Sequence, residues 1–197
     1  MKRKIRFVMI ILLILFVFSA SCAEESFSFR NGIQFNMTSK ELMQKEKENG
    51  QIDEKEWQNI EMGNWIGLVP TKKIPVSQYE TILYYMLSDD HMQAVVYGFY
   101  EDTSVPTETK YRYLSYALST VYGEVDTVSA SEVVSFMDTF VQGFYHESDI
   151  KEAVKWTKSD VVIYQFYYSE ENFVILYSNP NFDYSSVNRS LVNVNGL

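Results

Sequence analysis

The chain reads as an α+β domain built from two helix–antiparallel-β units, each a helix followed by a meander or hairpin. In this reading the helices pack on one face of an antiparallel sheet. Three observations predict it. Helix starts at Thr38 and at Thr107 or Thr109 are each followed by runs rich in β-branched and aromatic residues. Short polar turns, Ser88-Asp89-Asp90-His91 and Ser169-Glu170-Glu171, separate neighbouring apolar runs as hairpins require. The 197 residues, 46% of them hydrophobic, are enough to bury one core.

The elements follow in order. Ser26 to Phe35 alternate loosely and predict a short strand around the turn pair Asn31-Gly32. Thr38 with Glu41 is a capping box, Met37 with Leu42 a hydrophobic staple, and Gly50 ends the helix. Asp53, Glu56, Trp57 and Ile60 fit a second short helix in a polar stretch over 51–63. Asn64 to Pro70 is a strand. Tyr79 to Leu87 and Met92 to Tyr100 make the clearest hairpin.

After a loop at Pro106, a helix runs to Tyr122 with Tyr111, Leu114, Leu118, Val121 and Tyr122 on one face, and Gly123 stops it. Ser129 or Ser131 opens a further helical pattern in which Val133, Val134, Met137, Phe140, Val141 and Phe144 recur. Residues 152–178 read as a three-stranded meander, with a short helix from Asp149 to Val154 as the alternative for its start. The compact domain spans 24–178, in sub-units of about 27–100 and 107–178. The Asn- and Ser-rich stretch 179–197 reads as a loosely ordered tail.

Residues 1–23 predict export. Lys2, Arg3, Lys4 and Arg6 form a positive region, Phe7 to Phe18 are 12 apolar residues in a row, and Ser19 to Ala23 are small, which is the pattern of a signal peptide. Two cuts fit. Ser21-Cys22-Ala23 suits ordinary signal peptidase and gives a secreted chain starting at Glu24. Ser19-Ala20-Ser21-Cys22 partly fits a lipobox, which would lipidate Cys22 and tether the protein to the outer face of the cell membrane. Cys22 is the one cysteine, so thiolate metal sites, CxxC redox motifs and cysteine nucleophiles are excluded.

The whole chain has a formal net charge of −9, from 17 basic and 26 acidic residues; without the four basic residues of the leader it is 13 − 26 = −13. Such a surface repels phosphate backbones and anionic lipid, so neither nucleic acid nor a membrane surface is an expected partner, lipidation apart.

Phe27-Ser28-Phe29-Arg30-Asn31-Gly32-Ile33 followed by Met37-Thr38-Ser39-Lys40-Glu41-Leu42 resembles the opening of uncharacterised exported proteins and lipoproteins of Gram-positive bacteria. Tyr122-Gly123 and Trp156 are also similar to that group. The chain departs from it at Asn36, where glycine is usual, and in the insertion at 51–63. More distantly, the helix-plus-ribbon unit resembles SmpA/OmlA outer-membrane lipoproteins and the repeats of β-lactamase inhibitor proteins. That resemblance implies protein binding on a sheet face without catalysis; no functional residue carries over from it.

Few residues invite chemistry. His91 follows Asp89-Asp90 at a turn, where Asp is favoured for its own backbone bonds, and His146 reads as a loop residue. No G-x-S-x-G, HExxH, P-loop, GxGxxG or EF-hand loop occurs. No catalytic residue, cofactor or metal ligand is therefore assigned. A glycosidase pair of carboxylates is always available among 26 acids, and a small cell-wall-glycan hydrolase is the alternative function. The sequons at Asn36 and Asn188 read as coincidence, and the charge run Lys45 to Glu48 as a solvated helix face.

The oddity is aromatic: 15 Tyr, 13 Phe and three Trp. Adjacent tyrosines on a strand point to opposite faces, so Tyr84 and Tyr85, and Tyr167 and Tyr168, cannot both be core unless both faces are covered. Tyr84, Tyr85, Tyr97, Tyr164, Tyr167 and Tyr168 are therefore the expected binding face. The expected function is non-catalytic contact with an extracellular or envelope protein or peptide, ahead of a glycan, with a lipid-anchored structural envelope component as a further alternative.

Overall fold

A computed structural model of the protein describes residues 27–50, 52–100, 105–169 and 171–187. The fold is mixed α+β and mostly sheet. Among the described residues there are three α-helices: α1 (Ser39–Glu48), α2 (Thr107–Tyr122) and α3 (Ala130–Met137). Nine strands follow in chain order: β1 (Trp57–Met62), β2 (Trp65–Pro70), β3 (Ile74–Val76), β4 (Tyr79–Ser88), β5 (His91–Phe99), β6 (Asp126–Thr127), β7 (Glu152–Thr157), β8 (Val162–Tyr167) and β9 (Phe173–Ser178). Every pairing is antiparallel. The spatial order is β1-β2-β4-β5-β9-β8-β7-β6, with β3 lying beside the start of β4. Strands from the first half of the chain form one flank and those from the second half the other. The β5–β9 ladder, with Tyr97 opposite Ile175, joins them.

Local chemistry explains the elements. Thr38 caps α1: its hydroxyl accepts from the Glu41 amide at 3.3 Å, and the Glu41 carboxylate accepts from the Thr38 amide at 2.8 Å. Those bonds hold the Glu41 carboxyl below its usual range. In the β4–β5 turn, Asp89 (φ 50) and Asp90 (φ 63) are both left-handed, as a two-residue hairpin turn of matching twist demands. The Asp90 carboxylate also accepts from the Ser39 amide at 3.3 Å, which ties the turn to the start of α1.

α1 also carries a buried acid. Glu46 is fully buried; its Oε2 accepts from Arg30 Nη2 at 3.1 Å and Asn31 Nδ2 at 3.0 Å, and its Oε1 accepts from the Tyr85 hydroxyl at 2.6 Å. This knot fastens the Arg30–Gly32 turn and α1 to the centre of the sheet.

Helices on a single face are the main expectation the structure overturns. Leu42 of α1 and Tyr111, Leu114 and Leu118 of α2 pack on one face with Leu83, Tyr85, Val95, Tyr97, Ile163 and Phe173. Val133 and Met137 of α3 pack on the opposite face with Trp65, Met86, Ala94, Phe166, Val174 and Leu176. The strands bury residues on both sides, so neither face of the sheet can be left bare.

Other boundaries move. The segment 26–35 contains no strand among its described residues, but a 3-10 turn at Arg30–Gly32 with left-handed Asn31 and Gly32. The expected second helix is a 3-10 turn at Glu54–Glu56 leading into β1, and the short helix weighed at 149–154 is a 3-10 turn at Glu147–Asp149 leading into β7. The helix opened by Ser129 stops at Met137, where Asp138 Oδ1 accepts from the Gly143 amide at 2.9 Å and turns the chain; Phe144 is consequently exposed.

Residues 179–187 are not a loose tail. Phe182 and Tyr184 pack against Trp65, Val187 is buried, and the Tyr184 hydroxyl donates to the Gln93 carbonyl at 2.7 Å. The expected signal peptide over 1–23, Cys22 within it, and residues 188–197 lie outside the described residues.

Candidate functional site

The face covered by α3 is covered incompletely. Where α3 ends, the turns through Tyr145 arch over the sheet and leave a cleft of about 270 Å³. Its floor crosses the strands: Ile60 and Met62 on β1, Tyr84 and Met86 on β4, Val96 and Gly98 on β5, Val174 on β9. Its roof is Met137, Phe140, Val141, Phe144 and Tyr145, and Tyr100 and Tyr168 complete the wall.

Two strand glycines allow close packing at and beside this floor. A Cβ on Gly98 would stand 3.1 Å from the Tyr100 hydroxyl and 3.2 Å from its ring, so the missing side chain is what lets Tyr100 fold over β5. A Cβ on Gly67 would stand 2.6 Å from the terminal methyl of Met62, which lies across β2 in its place. Glycine inside a strand marks such close approach.

No lining residue carries a carboxylate, amine, imidazole or thiol. The polar groups are phenols. Burial, first, raises the pKa of Tyr84, Tyr100 and Tyr168, and the Tyr100 phenol also interacts with those of its two neighbours. Burial likewise pushes Tyr145 well up, and its ring meets Tyr168 edge-on at 5.5 Å. All four are neutral at physiological pH, so the cleft offers apolar contact and hydroxyl hydrogen bonds and nothing that ionises there.

The structure divides the six expected tyrosines. Tyr84 and Tyr168 line the cleft. Tyr164 is on the same face but lies under α3, stacked on Phe136 at 5.0 Å with its hydroxyl 3.4 Å from Glu132. Tyr85, Tyr97 and Tyr167 are on the opposite face and buried, at 0%, 8% and 8% exposure, so they form no open surface. Tyr85 is held by Glu46, and Tyr167 stacks on Tyr111 of α2 at 4.3 Å. The pKa of Tyr97 is pushed up to about 12 by burial, and so is that of Tyr167. The cleft residues that sequence reasoning missed are Tyr100, Tyr145 and the apolar set from β1 and the α3 turn; the one local signal was glycine within the strand patterns at 67 and 98.

Elsewhere, His91 Nδ1 lies 2.7 Å from the Asp89 carbonyl at the exposed turn, and the His146 amide donates to Asp149 Oδ2 at 3.2 Å. Among the described residues no three His, Asp or Glu are grouped to hold a metal ion. Glu108 and Glu152 both face Arg112, at 3.9 and 2.8 Å, in a shallow exposed depression. No helix among the described residues is long and apolar enough to cross a membrane. The chain matches no protein-family model, no characterised protein and no solved structure.

Proposed function

We propose that this is an exported, non-catalytic binding protein that seats an apolar group of a protein or peptide ligand in the cleft between the sheet and the α3 turn. One observation carries the reading: an open apolar cavity of about 270 Å³ whose lining lacks any group ionised at neutral pH. An open cleft lined by apolar groups and a few phenols, in a face that is otherwise packed, is the form a binding site for an apolar group takes. Export is supported by the basic, apolar and small-residue stretches of residues 1–23. The two flanks of the sheet are read as two helix–ribbon units, and the floor spans their junction, with Val96 and Gly98 from one and Val174 from the other.

The test is binding of the neutral fluorophore N-phenyl-1-naphthylamine, followed by its emission. The wild-type chain should bind it saturably at one site. Val96→Phe, which fills the cleft from its floor, should abolish binding while keeping or raising the thermal midpoint. Binding that survives Val96→Phe, or no saturable binding in the wild type, would overturn the reading.

A further inference from the structure

The sheet guards its edges unequally. At one end β6 is two residues long; β3, along the side of β4, is three residues with Pro75 in the middle. Short strands and prolines are how sheets avoid pairing with other chains. β1 has neither device. It is six residues long, Trp-Gln-Asn-Ile-Glu-Met, without Pro or Lys, and Gln58, Asn59, Ile60 and Glu61 are all exposed. Among the described residues β2 is its one partner strand, and no described strand pairs with its outer edge. The cleft begins at this same edge: Ile60 and Met62 are its first floor residues, and Ile60 is 37% exposed.

We propose that β1 receives an extended segment of a partner protein as an added strand, and that the cleft takes the segment's apolar side chain beside Ile60. This rests on the reading of the cleft as a binding site. Main-chain bonds along β1 supply affinity, and alternate side chains supply selectivity. Facing residues of paired strands share a face, so the segment is apolar opposite Ile60 and Met62. It is basic opposite Glu61, which points to the other side. The chain's net charge of −9 favours such a cationic segment over a second copy, whose like charge would oppose pairing.

The probe is a capped, fluorescein-labelled Val-Lys-Val-Lys-Val peptide, read by anisotropy with the full chain. It should bind, and methylating the amides of one edge should weaken binding about tenfold per ladder bond, while methylating those of the other edge should not. Glu61→Lys should shift the preference between this peptide and its Glu-for-Lys counterpart about fivefold toward the acidic one. Three results would overturn the proposal. If the naphthylamine enters the cleft but the peptide does not bind, the cleft reading stands and the edge reading fails. If the peptide binds with no sensitivity to edge methylation, it uses the cleft alone. If the chain forms a dimer in sedimentation that Glu61→Lys or Ile60→Lys dissolves, the occupant is a second copy.

Discussion

Replacing Glu46 by alanine removes the acceptor at the middle of the α1 knot. Arg30, Asn31 and Tyr85 each lose a bond to it, at 3.1, 3.0 and 2.6 Å. Deleting one member of a buried ion pair costs about 3–5 kcal/mol, and the lower end applies because the Arg30 side chain keeps a fifth of its surface in solvent. The expected loss is therefore about 3 kcal/mol, which for a domain of this size lowers the thermal midpoint by about 6–12 °C. Urea and thermal unfolding followed by circular dichroism measure it. Tyr85→Phe alone should cost about 1.5–3 kcal/mol, because it strips a hydrogen bond from a charged group and leaves Glu46 with two donors. In the double variant the two losses should fall short of additivity by more than about 1 kcal/mol. Glu46→Ala within about 0.5 kcal/mol of wild type, or strict additivity with Tyr85→Phe, would refute the assignment of the knot as the fastening of α1 to the sheet.

Three further outcomes are expected. Thr38→Ala removes the α1 cap and should cost about 1 kcal/mol in urea unfolding, with no effect on naphthylamine binding. Gly98→Val pushes the Tyr100 ring into the cleft and should weaken naphthylamine binding about tenfold, the equivalent of two lost methylene contacts at about 0.8 kcal/mol each. In alkali, Tyr85, Tyr97 and Tyr111 are buried with raised pKa values, Tyr97 at about 12, whereas in the unfolded chain they ionise near their ordinary value of about 10. The stability they contribute is whole below about pH 10 and is lost as pH rises towards 12. The three together remove about 4 kcal/mol per pH unit in that window. Part of the tyrosinate absorbance at 295 nm should then rise in a cooperative step together with the loss of secondary structure; ionisation of all the tyrosines in a chain that stays folded would contradict the burial.

Elements fixed by short-range chemistry were legible in the sequence. The Thr38–Glu41 box, the Asp89-Asp90 turn and the apolar runs of β7 to β9 act within a few residues of themselves, and all are found. β1 was not, because Trp57 and Ile60 also fit a helix and an edge strand with four exposed residues in a row shows no alternation. The end of α3 was hidden because Phe140, Val141 and Phe144 continue its period while Asp138 and Gly143 turn the chain out of it. Residues 179–187 read as a tail by composition; what holds them are bonds to Gln93, about ninety positions away in sequence, including Asn179 Nδ2 to Gln93 Oε1 at 2.9 Å. The cleft was legible only as adjacent tyrosines facing opposite ways and as two glycines within strand patterns. Its walls come from residues 60 to 174, and no local pattern announces that meeting.

The most direct measurement uses the methionines. Met62, Met86 and Met137 line the cleft, whereas Met37, Met43 and Met92 belong to the core on the opposite face. With the methyls labelled with carbon-13, titration with N-phenyl-1-naphthylamine should shift the first three resonances together along one binding curve and leave the other three in place. Shifts confined to Met37, Met43 and Met92, or none at all at saturating probe, would contradict the claim that this cleft is the binding site.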